Sequence, residues 1–280
     1  MKLTGRTGCA LLLAAYLAFA LGAKGFAPPR LQAAEVPGSV VLPAPMQTAL
    51  YLGDRYLAAN VETTRVLTTG GPIAGIAQDY FDRLHMTVAA LNPCHEDNYY
   101  VANSLMAWGG SVDPALDILR AATRCRFWDE LPPFFLGFDL NFFKREHRLA
   151  KEALFEAAAR SPESRTTFQR IGLMYEAEIY PDPRMAQAFL KAQRDQARDG
   201  RLRQGLDIRI GRLAGLVTLQ DAQADYERRF AQPLQSPNDL LTRGVLKAFP
   251  TDPVGLGYVF EDGRFALREM KIRGIEGVRK

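Results

Sequence analysis

Small residues recur at nearly constant spacing in the middle of the chain, and this period constrains the fold more than any other feature. Ala115, Ala150 and Ala186 are 35 and 36 residues apart, each within a stretch of helical periodicity. A period of this length corresponds to one pair of antiparallel helices, and small residues at fixed positions let the two helices pack closely. The sequence therefore predicts a stack of helical hairpins, each burying its apolar face against its neighbours.

A second series of equally spaced residues marks the first helix of each predicted hairpin. Asn103, Gly137 and Gly172 are 34 and 35 residues apart. Short polar or Gly/Pro breaks separate the helical patterns, so neighbouring helices are expected to be antiparallel. The pattern predicts helices over residues 46–67, 73–91, 97–108, 113–124, 132–143, 147–160, 164–179 and 183–198.

The break after Trp108 has the sequence Gly-Gly-Ser-Val-Asp-Pro. Gly109 and Gly110 can turn the chain because glycine adopts left-handed backbone angles without a side-chain clash. Asp113 is the predicted cap of the next helix, and Pro114 stands in its first turn, where a missing N–H costs nothing. The break is thus predicted to join two antiparallel helices.

Residues 96–198 resemble tetratricopeptide (TPR) repeats. The large, aliphatic, small and aromatic positions of a first helix are present as Phe168, Ile171, Gly172 and Tyr175, and Pro162 closes the repeat before it. The resemblance implies an all-α, TPR-like solenoid of antiparallel helical hairpins, whose concave surface holds a protein partner. The second helices of two repeats match at three positions, with Ala115, Leu119 and Ala122 corresponding to Ala150, Leu154 and Ala157.

The chain is also similar to membrane-anchored periplasmic TPR proteins of Gram-negative bacteria, in segments such as LNPCHEDNYYVANSLMAWGG and PTDPVGLGY. This resemblance implies a scaffold in the cell envelope. Its expected partners are envelope proteins, together with the inner membrane, which it would contact through the N-terminal segment.

The matched positions of the first helices predict a partner-binding groove, and the middle repeat supplies most of its aromatic side chains. A contiguous exposed aromatic patch would mark a partner or lipid site. The alternative is that Phe134, Phe135 and Phe138 pack between the repeats. The predicted groove residues are Asp97, Tyr100, Ser104, Trp108, Phe134, Phe138, Asn141, Phe142, Gln169, Leu173 and Glu176.

The N-terminal sequence predicts export. Lys2 and Arg6 precede an apolar run over residues 9–23. Because positive charges before such a run stay on the cytoplasmic side, the rest of the chain is expected to cross the membrane. A signal peptide cleaved after residues 18–20 and an uncleaved anchor helix both stay open. We expect residues 1–27 to be signal or anchor, 28–45 a Pro-rich tether, 46–198 the TPR-like domain, and 199–280 C-terminal helices with a β-hairpin tail.

Cys94 and Cys125 bracket one predicted hairpin. An exported location permits a disulfide, and antiparallel packing brings the two helix ends within about 8–10 Å of each other. We predict a disulfide, the alternative being two buried thiols that never meet. Cys9 lies in the N-terminal segment and is expected to be a small apolar filler.

The C-terminal region has a different pattern. Residues 258–260 and 264–267 flank Glu261-Asp262-Gly263, which predicts a β-hairpin. Gly211 and Gly215 are four residues apart in a helical stretch, which predicts close helix packing. Asp252 and Asp262 offer oxygen ligands for calcium, but a role in turns is favoured.

The sequence contains no catalytic or cofactor motif that we could identify. Cys94-His95-Glu96-Asp97 holds metal-ligand types, but contiguous residues at a helix start point in different directions, and no second cluster supports a site. The net charge of +4 is spread along the chain, which argues against nucleic acid as a partner. We therefore predict a non-catalytic adaptor without metal or cofactor, the alternative being a carrier or enzyme that uses the aromatic groove for a lipid or polysaccharide.

Overall fold

The computed structural model describes residues 15–16, 40–69 and 78–268, without the side chains of 67–69. The predicted signal or anchor therefore lies almost wholly outside the described residues, as do most of the predicted tether and the Gly-Gly-Pro break at 70–72. Within the described ranges, no helix is long and apolar enough to cross a membrane.

The described residues are mostly helical, with one small antiparallel sheet near the C-terminus, as the sequence predicts. Two of the helices continue into a π-helical turn, α4 over Ala102–Met106 and α6 over Leu140–Lys144. The elements are α1 (Ala44–Leu50), α2 (Arg55–Thr69), α3 (Gln78–Leu91), α4 (Glu96–Val101), α5 (Val112–Cys125), α6 (Leu131–Asp139), α7 (His147–Arg160), α8 (Arg165–Ala177), α9 (Pro183–Gln196), α10 (Gly200–Phe230), α11 (Asn238–Thr242), β1 (Tyr258–Glu261) and β2 (Arg264–Leu267).

The single helix predicted over residues 46–67 is wrong, because the chain turns sharply between α1 and α2. Leu52 and Gly53 have φ angles of 54° and 92°, which no α-helix can contain. Asp54 then caps α2, since its carboxylate accepts hydrogen bonds from the backbone N–H groups of Tyr56 and Leu57 at 3.0 and 2.9 Å. The Gly-Asp pair was the sequence signal for this corner.

The break between α4 and α5 turns at Gly110, whose φ is 99°. The predicted cap is wrong, because α5 begins one residue earlier, at Val112, and Ser111 stands in the capping position. The Ser111 side chain contacts Gln78 and Asp82 of α3 and makes no capping bond. Asp113 forms an ion pair with Lys144 at 2.5 Å instead, which links α5 to the π turn after α6.

Close helix packing follows the small residues in the middle hairpin. A Cβ atom on Gly137 would lie 2.9 Å from both the Ala150 carbonyl oxygen and Leu154 Cγ, so α6 and α7 approach at this glycine. Gly172 of α8 faces Phe155 of the preceding helix α7. Helix α8 packs mainly against α7, and α9 mainly against α10. The third hairpin is therefore looser than a strict repeat predicts.

The C-terminal segment packs onto α10. In the β-hairpin, Tyr258 pairs with Leu267 and Glu261 with Arg264. A Cβ atom on Gly215 would lie 1.9 Å from the hydroxyl of Tyr258, so the space beside this glycine receives the hairpin and not another helix.

A buried ion pair fastens the loop before the hairpin to α10. Arg212 Nε lies 3.1 Å from Asp252 Oδ2, and the same carboxylate accepts hydrogen bonds from the N–H groups of Val254 and Gly257. Burial alone would raise the pKa of Asp252, but these two N–H donors and Arg212 together lower it. Asp252 thus has the turn-forming role that the sequence favours over calcium binding.

Candidate partner-binding surface

Aromatic rings from adjacent first helices contact one another at their C-terminal ends. Trp108, which follows α4, lies with its ring centroid 5.1 Å from that of Phe142 and 5.4 Å from that of Phe143. Phe138 stacks on Phe142 at 5.6 Å with an interplanar angle of 8°. All four side chains are half-buried. We call Trp108, Phe138, Phe142 and Phe143 the aromatic cluster.

A second series of ring contacts lies toward the N-terminal ends of the same helices. Phe135 contacts Tyr100 at 5.6 Å and Phe134 at 5.5 Å, and Phe134 contacts Phe168 of α8 at 5.3 Å. Exposure falls along this series, from 38% for Tyr100 to 8% for Phe168. We call Tyr100, Phe135, Phe134 and Phe168 the aromatic row. It packs between hairpins at Phe168 and is exposed to solvent at Tyr100.

The remaining predicted groove residues do not all lie on this surface. Ser104 is exposed and donates its hydroxyl to the Tyr100 carbonyl at 2.7 Å. Asn141 is buried, 7% exposed, with its side-chain oxygen 2.7 Å from the ring of His147. Glu176 is paired with Lys151 at 2.6 Å. Asp97 is exposed, Gln169 half-buried and Leu173 a core residue.

The π turns explain why counting positions misplaces part of the groove. Each π turn adds one residue to a helical turn, and such turns occur frequently at functional sites. The second one covers residues 140–144 and ends at Arg145, whose φ of 58° is left-handed. Residues after position 139 are therefore rotated relative to a regular helix, which turns Asn141 inward while Phe142 meets Trp108.

An exposed aromatic pair escaped the sequence prediction. Phe127 and Trp128 lie in the loop between α5 and α6, 72% and 57% exposed, with ring centroids 5.0 Å apart. The guanidinium of Arg126 lies 5.6 Å from the Trp128 ring centroid. Two consecutive aromatic residues in a polar loop were the available signal.

Cys94 and Cys125 are joined by a disulfide, with their Cα atoms 5.3 Å apart. Arg126, the next residue, donates to the Cys94 carbonyl at 3.2 Å and to Asp129 at 2.8 Å. Burial alone would raise the pKa of Asp129, but hydrogen bonds from the Leu131 N–H, Arg126 and Tyr99 together lower it. The disulfide and this network of charged hydrogen bonds together hold the start of α4 against the end of α5.

The residues considered for metal binding have other partners. Cys94 is in the disulfide, and His95 Nε2 lies 3.1 Å from the side-chain oxygen of Asn60. Burial lowers the pKa of His95. Over residues 40–69 and 78–268, no group of three or more His, Cys, Asp or Glu side chains is arranged to hold a metal ion.

Asp139 is the most unusual ionisable group near the cluster. The side chain is fully buried at the end of α6, and neither carboxylate oxygen has a hydrogen-bond partner among the residues that the structure describes. Burial raises the pKa of Asp139 to about 8. The carboxyl group is therefore mostly protonated at neutral pH, and nothing in the sequence pattern distinguished it from a surface aspartate.

Two open depressions lie on the described surface. One, of about 530 Å³, is lined by residues 145–149 together with Glu178 and Ile179. The other, of about 370 Å³, lies beside α3 and includes Asp79, Asp82 and Arg83. None of the aromatic residues of the predicted groove lines either depression.

Comparison of the chain with protein-family models, with curated proteins and with solved structures finds no significant match.

Proposed function

We propose that this protein is a non-catalytic adaptor of the TPR type, tethered to the inner membrane and facing the periplasm, that holds a protein partner and supports assembly of an envelope complex. The observation that carries the proposal is the aromatic cluster. Trp108 and Phe142 join the first helices of two adjacent hairpins in a half-buried surface, and half-buried aromatic side chains are the usual anchors of protein interfaces.

The disulfide supports the proposed location. Disulfides persist in oxidising compartments such as the periplasm and are rare in the cytosol. The bond between Cys94 and Cys125 joins the two ends of the hairpin formed by α4 and α5. Trp108 of the aromatic cluster lies in the loop of this hairpin. A rigid hairpin keeps the cluster in one geometry, which lowers the entropy cost of binding a partner.

A crosslinking pull-down of the full chain from envelope membranes tests this function. A defined protein that copurifies in constant proportion supports the adaptor. Lipid or polysaccharide recovered without a protein partner would support the alternative, a carrier or enzyme that uses the aromatic groove.

The N-terminal sequence of the purified protein tests the tether separately. A mature chain that retains Met1 is an anchored protein. A chain that begins at Leu21 or later has lost the apolar run, which would leave a periplasmic protein without this anchor.

A further inference from the structure

Exposed apolar side chains concentrate at the N-terminal corner of the described structure. Leu52 is 97% exposed and Leu50 is 65% exposed, and Met46, Tyr56, Leu57 and Val61 are also exposed, so exposed apolar side chains lie on α1, on α2 and in the turn between them. We call these six residues the apolar corner. Solvent-exposed apolar groups in such density mark a surface that another apolar phase or partner covers.

The corner is also almost free of charge. Over residues 40–61 only Asp54 and Arg55 are charged, and their charges cancel, whereas charged residues make up 24% of the whole chain. The guanidinium of Arg55 lies 4.8 Å from the ring centroid of Tyr56 and donates to its hydroxyl at 2.9 Å. A tyrosine and an arginine held together beside apolar residues form a group that suits the boundary between lipid and water.

The most exposed side chain of the corner is held in an unfavourable backbone conformation. Leu52 has a φ of 54°, in the left-handed region that side chains larger than Asn or Asp rarely adopt. Glycine or asparagine would relieve this strain, and an exposed leucine contributes nothing to the core. Leucine at this tip needs another explanation, and insertion into an apolar phase supplies one.

We propose that the apolar corner is a membrane-interface contact, which seats the helical domain on the lipid surface. This inference rests on the membrane tether of the proposed function. Sixteen residues, 24–39, separate the apolar run from Val40, so Val40, six residues before the corner begins at Met46, lies at most about 55 Å of extended chain from the end of that run. The lipid surface is the apolar phase that the sequence places closest to the corner.

A depth measurement in vesicles tests whether the apolar corner contacts the lipid surface. The full chain, with Cys9→Ala to remove the thiol outside the disulfide, carries an environment-sensitive fluorophore at Leu50→Cys and is reconstituted into phosphatidylethanolamine–phosphatidylglycerol vesicles. The matched control carries the fluorophore at Met185→Cys, which is 55% exposed on α9. We expect the label at position 50 to be blue-shifted, quenched by nitroxide lipids and protected from iodide, and the label at position 185 to show the reverse.

A second variant separates a membrane role from a folding role. Leu52→Asn tolerates the left-handed backbone, so the thermal midpoint should hold or rise. In the labelled protein this variant should move the fluorophore at position 50 toward iodide and away from the nitroxide lipids. A lowered midpoint with unchanged quenching would show that Leu52 is structural and would overturn the proposal.

The remaining outcomes are distinguishable from one another. If the chain floats with the vesicles but iodide quenches the label at position 50, the membrane contact of the apolar corner is overturned and the tether is retained. A label protected from both quenchers, with crosslinks between chains, would show that a second copy covers the corner and would overturn the seat. A chain that fails to float would overturn both the tether and the seat.

Discussion

The indole of Trp108 lies with its ring centroid 5.1 Å from that of Phe142, across the junction of two helical hairpins. Each of these residues is at or just beyond a π turn that ends a first helix. The contact therefore joins two adjacent helical hairpins at the surface where we propose that a partner binds. The two rings are in contact, and both side chains are half-buried.

The first prediction separates binding from folding at this surface. Trp108→Ala and Phe138→Ala should each weaken partner capture and lower the free energy of unfolding by only about 1–2 kcal/mol, because both side chains are half-buried. Phe81→Ala is the core control, since Phe81 is 1% exposed, and should cost about 3–5 kcal/mol. Chemical unfolding followed by circular dichroism measures these differences. Equal losses in all three variants would mean that the aromatic cluster is core.

The second prediction concerns the disulfide. Its closed loop spans a sequence separation of 31, and its removal by Cys94→Ala/Cys125→Ala should cost about 3–4 kcal/mol in the chain-entropy model. Mass spectrometry of the unreduced, digested protein should find the two cysteine peptides linked. Free Cys94 and Cys125 thiols in protein purified from the periplasm would contradict this prediction.

The third prediction follows from the buried carboxyl of Asp139. Its pKa is about 8 in the folded protein against 3.8 for an ordinary aspartate, so between these pH values only the folded protein holds the proton. This group therefore lowers the free energy of unfolding as pH rises from about 4 to 8, by up to about 1.4 kcal/mol per unit, and has no further effect above that range.

Asp139→Asn does not titrate, so its stability relative to the wild type should increase steadily from pH 5 to pH 8. Urea unfolding at each pH measures the difference. Met185→Ala, which changes an exposed side chain of α9 without a titratable group, is the control and should show no such trend. A constant difference for Asp139→Asn would mean that the carboxyl is ionised in the folded protein.

The fourth prediction concerns the attachment of the β-hairpin. Gly215→Ala places a methyl group where the Tyr258 hydroxyl lies, so it should destabilise the protein by about 1–3 kcal/mol despite the better helix propensity of alanine. Among the described residues, a methyl group at position 211 meets only Pro253 Cγ, at 3.2 Å, so Gly211→Ala should cost less. In a Tyr258→Ala background, Gly215→Ala should cost less than it does in the wild type, because the clash partner is gone. If thermal unfolding shows that Gly211→Ala destabilises the protein more than Gly215→Ala, the packing of Tyr258 against Gly215 is refuted.

Periodicity predicted the parts of the fold that depend on regular backbone. The 3.6-residue pattern located the helices between residues 78 and 196, and alternation around Asp262-Gly263 located the β-hairpin. Both residues of that turn have positive φ, 50° and 74°, as a tight two-residue hairpin turn requires. These features follow from local sequence alone.

The features that the sequence did not predict depend on single residues in unusual conformations or environments. Leu52 breaks the first helix with a left-handed backbone that leucine rarely adopts. The π turns shift the register by one residue without changing the apolar pattern, which is why Asn141 was placed on the surface. Asp139 is buried by its tertiary neighbours, which local periodicity does not describe.

Site-specific photocrosslinking tests the central claim most directly. A benzophenone side chain replaces Tyr100, which is 38% exposed at the open end of the aromatic row, and the full chain is irradiated in native envelope membranes. Trp128→Ala, at the exposed tryptophan outside the groove, is the matched control for Trp108→Ala. We predict one crosslinked protein that is lost with Trp108→Ala and retained with Trp128→Ala. Crosslinks to lipid or polysaccharide alone, or a protein crosslink insensitive to Trp108→Ala, would contradict the account.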